Sequence, residues 1–344
     1  MAEAANDELT QFQNALAADG LAPLWEVMRD LAPREPAPIA RPAMWRAALL
    51  RDHALKAGEL ITAEKAERRV IVLENPGLRG RSQITTSLYA GVQLILPGEV
   101  APSHRHTASA LRLILEGKGG YTVVNGERVD MHPGDVIITP TWTAHDHGAD
   151  GGEPVIWLDG LDVPIVNLLS AGFSEDVGNG QQLVSRPMGD SIARYGSGLV
   201  PVGFKPDGVT SPVFWYPYAN IRPALEQMRR LEEWDPAEGL RMAFVDPTTG
   251  ASPIRTMGIF MQLVPAGFAG TRIRSTDGAV YSVVEGSGRV TVGDESWDVG
   301  PRDIFVVPSW AWHSVRASED LVLFSFSDRP LQQQLGFWRE ERPS

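Results

Sequence analysis

Two passages of this chain occur twice. Glu116-Gly-Lys-Gly-Gly-Tyr-Thr-Val123 returns as Glu285-Gly-Ser-Gly-Arg-Val-Thr-Val292, and Pro140-Thr-Trp-Thr-Ala-His145 returns as Pro308-Ser-Trp-Ala-Trp-His313. Such self-similarity means two copies of one supersecondary unit, each needing its own apolar interior. Both copies consist of short alternating runs broken by Gly and Pro, the pattern of strands and tight turns. The expectation is two similar β-barrels in tandem, and 344 residues hold both with helical additions.

The copies differ where chemistry is possible. In the first, His104 and His106 flank a single residue, so on a strand they share a face. His145, after a Pro-Gly-Asp turn and another short strand, brings a third imidazole. Three nitrogens with open positions suit a catalytic more than a structural metal, and imidazole accepts Fe, Mn, Zn, Ni or Cu. A bare His-x-His arises by chance in many chains. This pair is in register with Gly98, Gly117 and Pro140-x-Trp-x-x-His145, which favours a metal site. In the second copy, Arg272-Ile-Arg274 stands where the first has His104-Arg-His106, leaving His313 without co-ligands. The second unit is therefore expected to be scaffold, with Arg272 and Arg274 in salt bridges or an interface, and one working site per chain.

Strand parity extends the candidate pocket. Leu88, Ala90, Val92, Leu94 and Leu96 form an apolar face, while Tyr89, Gly91 and Gln93 on the other face read as pocket lining rather than solvent-facing residues. Ala110 and Arg112 share parity and are expected to point at the metal and its cavity. A buried arginine there needs an anion. His147 shares parity with His145, and Asp159 with Trp157. His132, in a Met-His-Pro-Gly-Asp turn, and His53, in a helix, are expected to be exposed or structural.

A formal charge of -12 argues against nucleic acid or an anionic membrane as partner, though a few buried arginines can still serve a small anion. The absence of cysteine excludes thiolate ligands and disulfides. No apolar run is long enough to span a bilayer, and the acidic N-terminus lacks a signal pattern, so a cytoplasmic location is expected.

Residues 7–31 carry helical spacing with Leu9, Phe12 and Leu16 on one face and Asn6 or Asp7 as cap. Prolines 33, 36, 38 and 42 hold an extended stretch, a helix is predicted from Trp45 to Ala57 with Gly58 stopping it, and Thr62 caps a short helix to Arg69. A further helix is predicted from Arg222 to Trp234. The expected layout is a helical wrapping segment over 1–82, a metal-bearing barrel over 83–165, a linker over 166–255, a degenerate barrel over 256–330 and a tail over 331–344.

The histidine motifs resemble the two consecutive motifs of the cupin superfamily. Glu67-Arg-Arg-Val70, Val72-Leu-Glu-Asn-Pro-Gly77, His104-Arg-His-Thr-x-Ser-Ala-Leu-Arg112, Thr139-Pro-x-Trp-Thr-x-His-Asp-His147 and Val155-Ile-Trp-Leu-Asp-Gly-Leu-Asp162 resemble, more narrowly, the gentisate 1,2-dioxygenase family of bicupins, nearly end to end. That resemblance implies an all-β-dominated fold of two jelly-roll barrels. It implies one Fe(II) per chain on His104, His106 and His145, with O2 as co-substrate and a homotetramer. It also implies that Arg68, Tyr89, Gly91, Gln93, Arg112, His147 and Asp159 surround a small aromatic carboxylate, with Arg112, His147 and Asp159 in the chemistry. The reaction so implied is cleavage of gentisate (2,5-dihydroxybenzoate) to maleylpyruvate. Tyr89 looks gentisate-like, whereas Gly91, leaving more room than alanine, looks closer to relatives that cleave salicylate or 1-hydroxy-2-naphthoate. A non-catalytic bicupin would be expected to have lost both metal motifs, and only the second is lost.

Overall fold

The computed structural model describes residues 2–178, 180–230 and 233–343. By internal contacts the chain divides into Met1–Ala37 and Pro38–Ser344. The first unit holds α1 (Ala2–Ala18) and α2 (Leu24–Leu31) rather than one helix. Gly20 at φ 71° and Pro23 separate them, and Asn6 and Asp7 lie inside α1, so neither is a cap.

The second unit opens with β1 (Ala43–Trp45), α3 (Ala47–Leu60), α4 (Ala63–Ala66) and β2 (Val70–Val72). Helix α3 runs through Gly58, whose missing side chain admits Leu94 from the sheet below. Glycine there serves close packing and does not end the helix. Thr62 does cap α4, its Oγ1 accepting from the Lys65 N–H at 3.3 Å, but the helix ends at Ala66, short of Arg69.

The first barrel comprises β3 (Tyr89–Ile95), β4 (Val100–His106), β5 (Ala110–Glu116), β6 (Gly120–Val124), β7 (Glu127–Asp130), β8 (Val136–Thr139), β9 (His145–Ala149) and β10 (Val155–Leu161). The connecting stretch holds α5 (Val163–Leu168), β11 (Ser174–Asp176), β12 (Trp215–Tyr216), α6 (Tyr218–Arg229) and β13 (Leu240–Ala243). Thus α6 begins before Arg222 and ends at Arg229, and Trp234 lies outside it. The second barrel repeats the first with β14 (Gly258–Val264), β15 (Arg274–Ser275), β16 (Ala279–Glu285), β17 (Gly288–Val292), β18 (Glu295–Val299), β19 (Ile304–Val307), β20 (His313–Ala317) and β21 (Leu321–Ser327). The chain closes with α7 (Arg329–Gln334) and β22 (Glu340–Glu341).

Each barrel is two facing antiparallel sheets. In the first, the sheet β12-β8-β5-β10-β3-β2 faces β11-β4-β9-β6-β7; in the second, β1-β19-β16-β21-β14-β13 faces β18-β17-β20. The connecting stretch lends edge strands to both barrels, and β1 crosses to the second, so the long sheets end in borrowed strands. The β6–β7 hairpin turns on Asn125-Gly126, both at positive φ as a type I′ turn requires.

One apolar cluster runs between the two six-stranded sheets and includes Leu111, Leu113, Leu158, Phe324 and Phe326. Gly160 permits this contact: a Cβ there would stand 2.6 Å from the Phe326 ring. A second cluster, with Tyr281, Phe305, Val290 and Leu323, fills the interior of the second barrel. The corresponding interior of the first barrel holds polar side chains instead. Among the described residues no helix is long and apolar enough to cross a membrane.

Candidate active site

Strand β4 carries His104 and His106 on one face, and β9 pairs with it so that His104 lies opposite His145. The three ring centroids stand 5.2, 4.1 and 4.9 Å apart, and one nitrogen from each ring lies within 4.8 Å of the others. His106 Nδ1 bonds the Ala108 carbonyl at 2.6 Å, and His145 Nδ1 bonds that of Thr143 at 2.9 Å. Each ring therefore donates through Nδ1 and keeps Nε2 as a lone-pair donor toward the others. Burial holds all three imidazoles neutral, with His104 pushed down to about 3 by burial and then by the Arg68 and Arg112 charges. Neutral imidazole is the form that binds metal, and Ala110 adds no carboxylate. The donor set fits one divalent ion.

A cavity of about 330 Å³ opens beside these rings, the size of a small-ligand pocket. Arg112 on β5 and Asp159 on β10 are cross-strand partners, both buried in its wall. Arg112 Nη1 donates to Thr139 Oγ1 at 2.6 Å, and its Nε lies 3.3 Å from Asp159 Oδ1 without being aimed at it. Burial pushes the Asp159 carboxyl up to about 6, against the pull of Arg112 and of the Trp157 indole N–H, 3.0 Å away. Arg68 donates to the carbonyls of Glu67 and Pro102, both at 2.6 Å, and its Nη2 touches the His104 ring. Burial, and next the nearby Arg112, bring Arg68 down to about 10. Gln93 and Tyr89 from β3 complete the floor, the phenol being pushed above its ordinary range by burial.

Two details differ from expectation. His147, for which Asp159 or a backbone carbonyl is the expected holder, is held by neither: Asp159 is engaged by Trp157 and Arg112, and among the described residues neither His147 nitrogen has a hydrogen-bond partner. The room expected beside Gly91 is also filled. A Cβ there would lie 2.4 Å from Val70 Cγ1 and 2.9 Å from Tyr89 Oη, so the glycine accommodates its neighbours rather than a larger ring.

A model of the cupin domain matches residues 91–162 and again 259–326. The chain is 50% identical to gentisate 1,2-dioxygenase 1 of Aquipseudomonas alcaligenes over 98% of each. It is 38% identical to a gentisate 1,2-dioxygenase of Streptomyces over 98% of this chain and 95% of that one. The chain belongs to the gentisate 1,2-dioxygenase family. Its backbone superposes on salicylate 1,2-dioxygenase from Pseudoaminobacter salicylatoxidans, solved as an adduct with gentisate, with TM-score 0.93 and 33% identity over 98% and 94% of the two chains. The fold is thus that of a bicupin in this dioxygenase family.

Family membership leaves the second barrel to be read from its own register, and there the sequence alignment of the copies slips by one residue. His104 pairs with His145, but it is Ile273 that pairs with His313. The Trp142 N–H bonds the His106 carbonyl at 2.8 Å, and the equivalent Trp310 N–H bonds that of Ser275 at 2.6 Å. His104 and His106 therefore correspond to Ile273 and Ser275, and Arg274 corresponds to Arg105. Arg105 stacks on Trp142 at 4.7 Å, as Arg274 does on Trp310 at 4.4 Å. Arg272 lies over Trp312, while Arg274 also pairs with Glu341 at 2.5 Å. His53 and His132 are exposed.

Sequence reasoning missed part of the pocket wall. Arg81, Ser82 and Gln83, and Leu161, Val163, Pro164 and Asn167 around the start of α5, all line the cavity. The signals available were the Asn75-Pro-Gly77 turn and Pro164 at a helix start, neither of which says what the next residues face.

Proposed function

We infer that this chain is a ferrous-iron, O2-using gentisate 1,2-dioxygenase, converting gentisate to maleylpyruvate. What carries the inference is three neutral imidazoles converging beside a cavity with a buried guanidinium, in a chain half identical to a gentisate dioxygenase. His104, His106 and His145 would hold one Fe(II) per chain, which when bound supplies the electron exchange with O2 that side chains lack and a Lewis-acid seat for the substrate oxygens. The overall change balances as gentisate plus O2 giving maleylpyruvate. The bond between the carboxyl-bearing carbon and its hydroxyl-bearing neighbour breaks, and each carbon gains one oxygen.

The protein's own part is positioning and charge. Arg112 and Arg68 bind the substrate carboxylate by charge-assisted hydrogen bonds. Arg112 is held for this by Thr139 and Asp159, so little freedom is lost on binding. Gln93 orients a substrate oxygen. His147, buried beside the Trp157 ring with both nitrogens unclaimed among the described residues, is free to hold or move a proton at the reacting oxygens. Tyr89 closes the pocket over Gly91 and sets the ring size admitted. That closure removes the ground for preferring salicylate or 1-hydroxy-2-naphthoate. The family resemblance supports a homotetramer.

The test is anaerobic loading with Fe(II), then O2 uptake with gentisate, salicylate and 1-hydroxy-2-naphthoate in parallel. One O2 per gentisate and the ring-opened product are expected. Uptake with salicylate alone would move the assignment to that relative, and none with any ring acid would refute the enzyme reading.

A further inference from the structure

Three arginines line the cavity, and two are committed: Arg112 to Thr139 and Asp159, Arg68 to two carbonyls and the His104 ring. The third, Arg81, is solvent-exposed at the cavity mouth. Among the described residues its side chain makes no hydrogen bond or ion pair. Its loop is nevertheless held firmly. One Glu74 carboxylate oxygen accepts from the backbone N–H groups of Gly80 at 3.1 Å and Ser82 at 3.0 Å, on either side of Arg81. Those bonds lower the Glu74 pKa, and Ser82 is kept at φ 53°, a conformation that non-glycine residues seldom adopt. Behind the loop, buried Asn75 donates through Nδ2 to the Ile84 carbonyl at 3.0 Å and through its backbone N–H to that of Gln83 at 2.9 Å. A bare guanidinium is thus set on a fixed loop at the entrance.

We propose that Arg81 is the capture residue for the aromatic carboxylate, a step distinct from its final seating on Arg112 and Arg68; this rests on the functional reading above. The protein carries a net charge of -12, so an anionic substrate meets a repulsive field over most of the surface. A single exposed cation at a low-dielectric mouth reverses that field locally and raises the capture rate. Because the contact is made on the way in, it acts on binding and leaves the chemical step alone.

The variants are Arg81→Gln and Arg81→Lys in the iron-loaded full chain, assayed with gentisate from low to moderate NaCl. At low salt R81Q raises KM about 3–10-fold with kcat within about twofold. R81K returns KM to within about twofold of the parent, since an exposed point charge suffices. The parent KM rises with salt more steeply than that of R81Q, as exposed charges are screened within about 10 Å at 0.1 M. A matching fall in kcat, no rescue by lysine, or equal salt slopes would overturn the assignment. If the loaded parent does not turn over gentisate, the functional reading fails first. Arg81 is then judged by benzoate against benzamide binding, followed by isothermal titration calorimetry. Weaker benzoate but unchanged benzamide binding in R81Q sustains the capture role, and equal loss of both rejects it.

Discussion

The two barrels share strand order, hairpins and even the strained tryptophan, Trp142 at φ 58° and Trp310 at φ 61°. What separates them is a handful of inward positions. The Arg112–Asp159 pair of the first barrel is Tyr281–Ser325 in the second. Ile137, beside Arg112, becomes Phe305, on which Tyr281 stacks flat at 4.9 Å. His104 and His106 become Ile273 and Ser275. The result is a cavity of about 330 Å³ in one barrel and about 20 Å³ in the other. Aromatic and aliphatic side chains at inward positions make a core, and imidazoles with a guanidinium make a site whose polar groups still need a ligand. His313 keeps the local conformation of His145, its Nδ1 3.3 Å from the Ala311 carbonyl, so the turn preserves the ring after its purpose has gone.

The sharpest way to break this comparison is to delete the matched histidines. His145→Ala is expected to lose bound iron and lower turnover by more than about a hundredfold, since losing only a partner of a metal ligand costs about 10–100-fold. His313→Ala should leave metal content and O2 uptake near the parent. Metal analysis of both proteins decides it, and loss of iron from the His313 variant would mean the second barrel is not merely scaffold.

Next in size is the charged pair. Arg112→Ala removes one partner of a buried ion pair and is expected to raise KM for gentisate on the order of a hundredfold. Tyr281→Phe, at the equivalent position, should leave KM alone. Steady-state kinetics on the two variants separate a pocket residue from a core residue; an unchanged KM in R112A would remove Arg112 from the substrate's surroundings.

These contrasts show what was readable beforehand. Period-two alternation placed Arg112, Gln93 and Tyr89 inside, because a strand buried on one face leaves no other register. The repeat revealed both barrels for the same reason. The one-residue slip at Arg272–Arg274 was not readable, since the two repeated passages are offset by different amounts, Glu116 to Glu285 against His145 to His313, and only the ladder, Ile273 opposite His313, decides which offset holds there. Arg81 and Asn167 were missed because their closeness to the histidines is purely tertiary. Gly58 and Gly91 misled because a glycine can mean a stop, free space or a tight approach, and only the neighbours decide.

The third prediction concerns pH. Folding carries the Asp159 carboxyl from its ordinary value near 3.8 up to about 6, with burial outweighing Arg112. A pKa raised on folding gives stability that is present below the unfolded value and lost as pH rises through the folded one. The metal-free protein should therefore lose on the order of 3 kcal/mol between about pH 4 and pH 6 relative to Asp159→Asn. Ser325, at the matched site, contributes no such step. Urea midpoints of parent and variant at pH 4.5 and 7 measure the difference; parallel curves would show that Asp159 is ionised throughout.

The smallest effect lies on the outward side, where the barrels agree. Arg105 over Trp142, tied to Glu175, and Arg274 over Trp310, tied to Glu341, are equivalent stacked pairs at partly exposed positions. Each stack at such a site contributes about 0.5–1 kcal/mol. Arg274→Gln, which also leaves Trp312, should therefore lower stability by about 1–2 kcal/mol and leave turnover unchanged. Arg105→Gln should cost no more than that, because Arg105 lies over one indole and Arg274 over both Trp310 and Trp312. But β4 also carries His104 and His106, so loosening its outer face relaxes the strand that aims two of the three imidazoles. Iron affinity should then fall in R105Q and not in R274Q, although Arg274 leaves two indoles, Trp310 and Trp312, and Arg105 leaves one. Equal iron retention in the two variants would mean that the outward stack stabilises each barrel without orienting anything inside it.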